Sequence, residues 1–279
     1  MGLRAWSQDQ DQSRSHLPFE HIKQAREILL HQAEAINLVG KNVPADFPLA
    51  VELISNCRGA AIVIGIGKAG WIGQKISASL ASTGTASHFL HPAEALHGDL
   101  GRVKREDIVI VLSNSGETSE IVNLLPRIKA LGVKTVAITA TTESALARHA
   151  DAVLNYGKVK ESGHLGLAPS ASTTVMLAVG DALALTISRL KAFQDSDFAK
   201  FHPGGSLGLK LSKVTEVMRP ISGCRIGLET ETVRNLFVSQ GGARRRSGVV
   251  MVIGGAGELT GILTDSDLAK LLELSLIHI

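Results

Sequence analysis

Apolar residues run without a break through Ile108-Val109-Ile110-Val111-Leu112, and Ala61-Ile62-Val63-Ile64 does the same. Such runs fit strands buried on both faces, as inside a parallel sheet. Between them the spacing becomes helical: Ile22, Ile28, Leu29, Ala33 and Ile36 within 19–39; Ile72, Ile76 and Leu80 after Gly67-Lys68-Ala69-Gly70; Ile121, Leu124, Leu125 and Ile128 from Glu117 onward. A second short helix is expected at 49–56, and strands at 61–66, 87–90, 108–112, 135–139 and 152–155. Strand and helix alternating with short links predict parallel β-α-β units and right-handed crossovers. The fold expected is therefore α/β, a three-layer αβα sandwich on a parallel sheet, with ligands outside the strands' carboxyl ends. The most apolar long segment, 173–190, carries Asp181 and several hydroxyls, and reads as a core helix rather than a membrane span.

The pattern changes after residue 211: a strand at 224–228, a helix at 232–239, and strands at 249–253 and 259–263. Residues 1–18 are polar and lack the apolar core of a signal peptide, so they read as a disordered leader. This divides the chain into 1–18, a main domain 19–211, a smaller segment 212–274, and a tail 275–279 that continues no pattern. The tail points to truncation or a sequence-end artefact; a natural single segment paired between subunits is the other possibility.

Composition narrows the function. A 279-residue chain with 44% hydrophobic and 20% charged residues has ample core for one good-sized domain and a smaller one. With 4% aromatic residues, a net charge of +3 and one short basic run, Arg244-Arg245-Arg246, nucleic-acid binding is not expected. Cys57 and Cys224 stand far apart and form no C-x-x-C, which suits a reducing cytoplasm and argues against a disulfide framework or zinc site.

The candidate chemistry centres on Ser113-Asn114-Ser115-Gly116, between a strand's carboxyl end and a helix's amino end. Hydroxyls, free N–H groups and the helix dipole together suit an anion. No G-x-x-x-x-G-K-[ST] is present, so a single phosphate on a small molecule fits better than a nucleotide. Taken alone, S-N-S-G reads first as a polar turn whose Ser113 caps the helix. Gly65, Gly67 and Gly70 spell G-x-G-x-x-G, but the acidic residue expected about twenty positions on, at the end of the second strand, is missing. That strand ends at His91, and Lys68 within the glycine turn suits direct contact with an anionic substrate. His91 and His97 lack the spacing of a helical metal pair and suit sugar contact better; no metal is expected, His91 being the residue weighed as a ligand. Glu161, between lysines in a loop after the fifth strand, falls on the same rim as Ser113 and Lys68. His202 before Pro-Gly-Gly is, taken alone, a turn residue.

The segments GIGKAG, ASTGT, HPAEALHGDLG, LSNSGETSEI, LGLAPSASTT, GDALA and FHPGGSLG follow one another in order. Together they resemble the arabinose-5-phosphate isomerases of the sugar isomerase (SIS) family, continuously from about 62 to 211. The resemblance implies interconversion of arabinose 5-phosphate and ribulose 5-phosphate, the entry to Kdo and lipopolysaccharide. It implies catalytic roles for Lys68, Glu120, Glu161 and His202, phosphate contacts from Ser113, Asn114, Ser115 and Thr118, and Gly84, Thr85, His91 and His97 around the sugar. It further implies a cytoplasmic homotetramer in which His202 reaches a neighbouring subunit's site, and no cofactor. Where the family has Cys-Pro after the loop glutamate, this chain has Ser162-Gly163-His164. GILTDSDL, near the end, resembles one cystathionine-β-synthase-type (CBS) motif; such motifs pair and can hold a nucleotide or other regulator.

Moving a carbonyl from C1 to C2 needs a base that takes a proton from one carbon and returns it to its neighbour through a cis-enediol. Lys68 would neutralise enediolate or phosphate charge, and His202 would move protons in ring opening. The helix dipole would keep Glu120 ionised, whereas withdrawal from water would raise the pKa of Glu161 and suit it as the base. Two other classes remain open on the sequence: a non-catalytic sugar-phosphate sensor on the same fold, and an NAD-binding enzyme.

Overall fold

The computed structural model describes residues 10–202, 213–238 and 248–276. The chain divides into two compact units, Met1–Leu211 and Ser212–Ile279. In the first, α1 (Gln10–Lys41) and α2 (Phe47–Ser55) precede β1 (Ala61–Gly65), α3 (Gly67–Ser82), β2 (Ser87–Leu90) and α4 (Pro92–Leu96). Then come β3 (Ile108–Leu112), α5 (Ser119–Ala130), β4 (Lys134–Thr139), α6 (Ala145–His149), β5 (Ala152–Asn155), α7 (Ala171–Leu190) and α8 (Asp195–Phe201). The five strands are parallel, in the order β2-β1-β3-β4-β5.

β1 and β3 are buried at every position because helices cover both faces. Val63, Ile110, Leu112 and Ile138 pack with α2, α3 and α7; Ile62, Ile64, Val109 and Val111 alternate with them and pack against α5. The apolar stripe of α5, Ile121, Leu124, Leu125 and Ile128, is buried as its spacing predicts, each side chain stabilising by roughly 1.5–3 kcal/mol. Among the described residues α7 is the one helix long and apolar enough to cross a bilayer. Val175, Met176, Val179, Leu183 and Ile187 place it in the core, as expected. The sandwich is thus the one the strand pattern predicts.

Helix α1 begins at Gln10, nine residues before the expected start, so residues 10–18 are helical rather than part of a disordered leader. Lengthening an existing helix needs no new nucleus, so a polar sequence can extend one. Residues 1–9 of that leader, the turn 203–208, the basic run 244–246 and residues 277–279 of the tail lie outside the described residues. The second unit holds α9 (Val214–Val217), β6 (Arg225–Leu228), α10 (Val233–Val238), β7 (Val249–Ile253), β8 (Leu259–Thr264) and α11 (Asp265–Leu276). β6 runs parallel and β8 antiparallel to β7. Residues 275 and 276, expected in the tail, are the last of α11.

Candidate active site

In the order 2-1-3-4-5 the connections leave β1 and β3 in opposite directions, which opens a crevice at their carboxyl ends. The two motifs singled out in the sequence meet there: Gly65 ends β1 and Leu112 ends β3, paired in register. Gly67 has φ +59°, a left-handed turn that suits glycine. A Cβ on Gly70 would lie 2.9 Å from the Gly65 carbonyl oxygen, so these two glycines let α3 start hard against β1. Lys68, exposed in the first turn of α3, is thereby held at the crevice.

After β3 the chain builds a fixed cradle. Ser113 is buried, and its Oγ accepts from the Gly116 N–H (3.0 Å) and meets Thr118 Oγ1 (3.0 Å). Ser113 therefore closes its own loop rather than capping α5, and Thr118, the residue before α5, makes no side-chain bond to the helix. The loop is stitched to β4: Ser113 N–H donates to the Ile138 carbonyl and Ala140 N–H to the Asn114 carbonyl, each at 3.1 Å. Gly116 has φ +65°, and a Cβ there would fall 2.1 Å from Ser144 Oγ. Glu117 accepts the Ala145 N–H (2.6 Å), binding the loop to the start of α6. Asn114 and Ser115 stand exposed on the open side.

Glu120 lies in the first turn of α5, half-buried. Its own backbone N–H, then the Ser119 hydroxyl (2.8 Å) and the charge of His91 hold the carboxyl below its usual range. His91 follows β2 on the same rim, and His97 ends α4; both are exposed.

Glu161 departs from expectation. Its Oε2 accepts from Ser170 N–H (2.8 Å), Ser170 Oγ (3.1 Å) and Ser172 N–H (3.2 Å), so it caps α7. Burial pushes this carboxyl up, but the bonds from Ser172 and Ser170 together outweigh burial and hold it below its ordinary value. The raised pKa expected from the sequence is corrected: withdrawal from water was foreseen, the three donors were not. The loop is also tied to α1, where His31 Nδ1 meets Ser162 Oγ at 2.9 Å. Between them lies a cleft of about 630 Å³ whose lining includes Glu27, His31, Lys160, Glu161 and His164.

Three expected site residues lie elsewhere. Gly84 and Thr85 precede β2, at the amino edge of the sheet. Thr85 Oγ1 accepts from Lys191 Nζ (3.0 Å), just past α7, and Gly84 sits against the Phe193 ring. Phe193 stacks on Phe201 (6.0 Å), so His202, which ends α8 and stacks on Phe198, belongs to this edge too. The twenty residues of α7, about 30 Å at 1.5 Å per residue, run from the Glu161 cap to this cluster. Lys68, His91, Ser113, Asn114, Ser115, Thr118, Glu120 and Glu161 share the carboxyl rim; Gly84, Thr85 and His202 do not join them within one chain.

The rim joins a hydroxyl and amide cradle for an anion, a lysine, and two ionised carboxylates able to accept protons. The SIS domain model matches residues 53–186. Arabinose 5-phosphate isomerase KpsF of Escherichia coli O6:H1 is 42% identical over 266 residues, covering 94% of this chain and 80% of the relative. The chain belongs to the arabinose 5-phosphate isomerases of the SIS family. Another member, arabinose 5-phosphate isomerase KdsD of Pseudomonas aeruginosa, is 41% identical over 255 residues, covering 91% of this chain and 78% of its own length. A solved structure of an E. coli CFT073 protein in complex with A5P is 40% identical, with a TM-score of 0.65, and matches 66% of this chain and 98% of that one. The fold is also shared at lower identity: the Vibrio vulnificus NanR protein complexed with ManNAc-6P, 16% identical, matches at a TM-score of 0.54 over 70% of each chain.

Sequence reasoning missed His31, Tyr156, Ser170 and Ser172. Tyr156, directly after β5, is buried, and its hydroxyl donates to Asn114 Oδ1 at 2.6 Å. An aromatic residue following a short strand gives no sign of so distant a partner.

Proposed function

We propose that this chain interconverts arabinose 5-phosphate and ribulose 5-phosphate. The observation that carries this is the 113–118 cradle at the β1/β3 crevice, beside Lys68 and two carboxylates, in a chain 42% identical to an arabinose 5-phosphate isomerase. The phosphate is held by Ser115, Asn114 and the N–H groups at the start of α5, with Lys68 balancing charge. The cradle anchors the substrate's far end, so that C1 and C2 are held in place for proton transfer.

A carboxylate then takes the C2 proton of the open aldose, leaving an enediolate; the O2 hydroxyl proton passes to O1, and the carboxyl group returns its proton to C1, giving the ketose. Both glutamates lie below the usual carboxyl range, hence ionised at neutral pH and ready to accept. Glu161 has its Oε2 committed to three donors, which weakens it as a base. Glu120 carries one side-chain donor and no cap duty. We therefore assign proton abstraction to Glu120 and positioning of the loop to Glu161, the reverse of the division expected from the sequence. His91 and His97 contact the sugar.

The separation of Gly84, Thr85 and His202 from the rim by the length of α7 supports a shared site, in which this edge of one copy completes the rim of another. A homotetramer in the cytoplasm accommodates this. The second unit we read as one CBS-type motif that offers a surface to a nucleotide or other regulator. Purified protein incubated with arabinose 5-phosphate should produce a ketose phosphate. Unchanged aldose at high enzyme concentration would refute the assignment.

A further inference from the structure

Asn114 is held on three sides, and one of its partners is there for no reason the backbone supplies. Its carbonyl takes bonds from Ala140 N–H (3.1 Å) and Thr139 Oγ1 (3.4 Å), which fixes the main chain at the end of β3 against β4. Its side-chain Oδ1 is taken by Tyr156, which directly follows β5, the strand beyond β4. A primary amide is two-faced: one end is an acceptor, the other carries two N–H donors. An exposed Asn beside an anion can present either, and the acceptor end repels it. The phenol removes the choice by occupying the acceptor.

We propose that Tyr156 is a positioning residue: by donating its O–H to Asn114 Oδ1 it turns the Asn114 amide so that Nδ2 faces the phosphate held by residues 113–118. This rests on the reading of that loop as a phosphate cradle. The phenol suits the task. It is 6% exposed, so water does not compete for its proton. Burial, then the nearby Glu161 carboxylate, push its ionisation far above the ordinary tyrosine range, so it remains a donor at every working pH. Its main chain is fixed as well, since Tyr156 N–H donates to the Thr139 carbonyl (3.1 Å). A buried tyrosine that only needed its hydroxyl satisfied would leave phosphate binding unchanged when cut back to Phe.

Tyr156 is the one tyrosine of the chain, so its near-ultraviolet signal can be separated from that of the two tryptophans. The test measures binding of inorganic phosphate and of arabinose 5-phosphate to the parent, Tyr156→Phe, Asn114→Ala and the double variant. A neutral hydrogen bond of this kind corresponds to roughly 5–10-fold in affinity. Tyr156→Phe should weaken phosphate binding by that factor, and the double variant should bind no more weakly than Asn114→Ala alone. Phosphate should shift the tyrosine absorbance of the parent but not of Asn114→Ala. Parent-like phosphate affinity in Tyr156→Phe overturns the proposal; so do penalties that multiply in the double variant, or a parent blind to phosphate. If phosphate binding shows the coupling while arabinose 5-phosphate is bound without isomerisation, the functional assignment alone fails.

Discussion

Glu161 shows how one side chain on the candidate site's rim can tie a loop to a helix. Its carboxylate ties the 157–169 loop to the first turn of α7 through Ser170 and Ser172. Because the folded-state pKa is lowered, the cap stabilises above the ordinary glutamate value of about 4.3 and is lost as pH falls from there through the folded value. Glu161→Gln should therefore lose about 1 kcal/mol of stability at neutral pH and show a shallower acid limb in unfolding experiments. In chemistry the two glutamates should separate. Glu120→Gln should slow loss of deuterium from C2 by about 10²–10⁴-fold, while Glu161→Gln keeps that exchange within about tenfold of the parent. The opposite pattern would return the base to Glu161. Partial withdrawal of Glu161 from water was legible in the sequence; its lowered pKa was not, because Ser170 and Ser172 are nine and eleven residues away and only the turn into α7 brings their N–H groups round.

Elements whose partners are near in sequence were the most legible. The strands at 61–65 and 108–112 and the α5 stripe follow from periodicity alone, because each needs only a cover over its apolar face. The cradle was legible as residue types at a strand end, but not as a rigid object. Its rigidity comes from β4, α6 and β5, none of which lies within the motif. Gly116 shows the difference. Ser144 Oγ, which a Cβ there would strike, already accepts the Ala147 N–H at the start of α6 (3.2 Å). Combined with the positive φ, Gly116→Ala should cost about 1–3 kcal/mol in denaturant unfolding and weaken phosphate binding with it. Gly40→Ala, with nothing within 4 Å of the new Cβ, is the control and should be close to neutral.

At the scale of the whole molecule, the rim and the Gly84–Thr85–His202 edge sit at opposite ends of the sheet, joined along α7. If they serve different sites, inactive Lys68→Ala and His202→Ala chains should regain activity when unfolded together and reassembled, since some sites then receive one intact half from each. Verified mixed oligomers without recovery would mean that each chain carries a complete site. The bonds from Ser113 N–H to Ile138 and from Ala140 N–H to Asn114 exist only once β3 and β4 lie side by side. A peptide spanning 108–130 holds every residue of the motif and the bonds of Ser113 to Gly116 and Thr118, but none of the bonds to β4. An anion that binds there would favour chains in which β3 and β4 are paired, adding RT ln(1 + [L]/Kd) to their stability. Such a ligand would clamp the middle of the sheet across the β3–β4 seam.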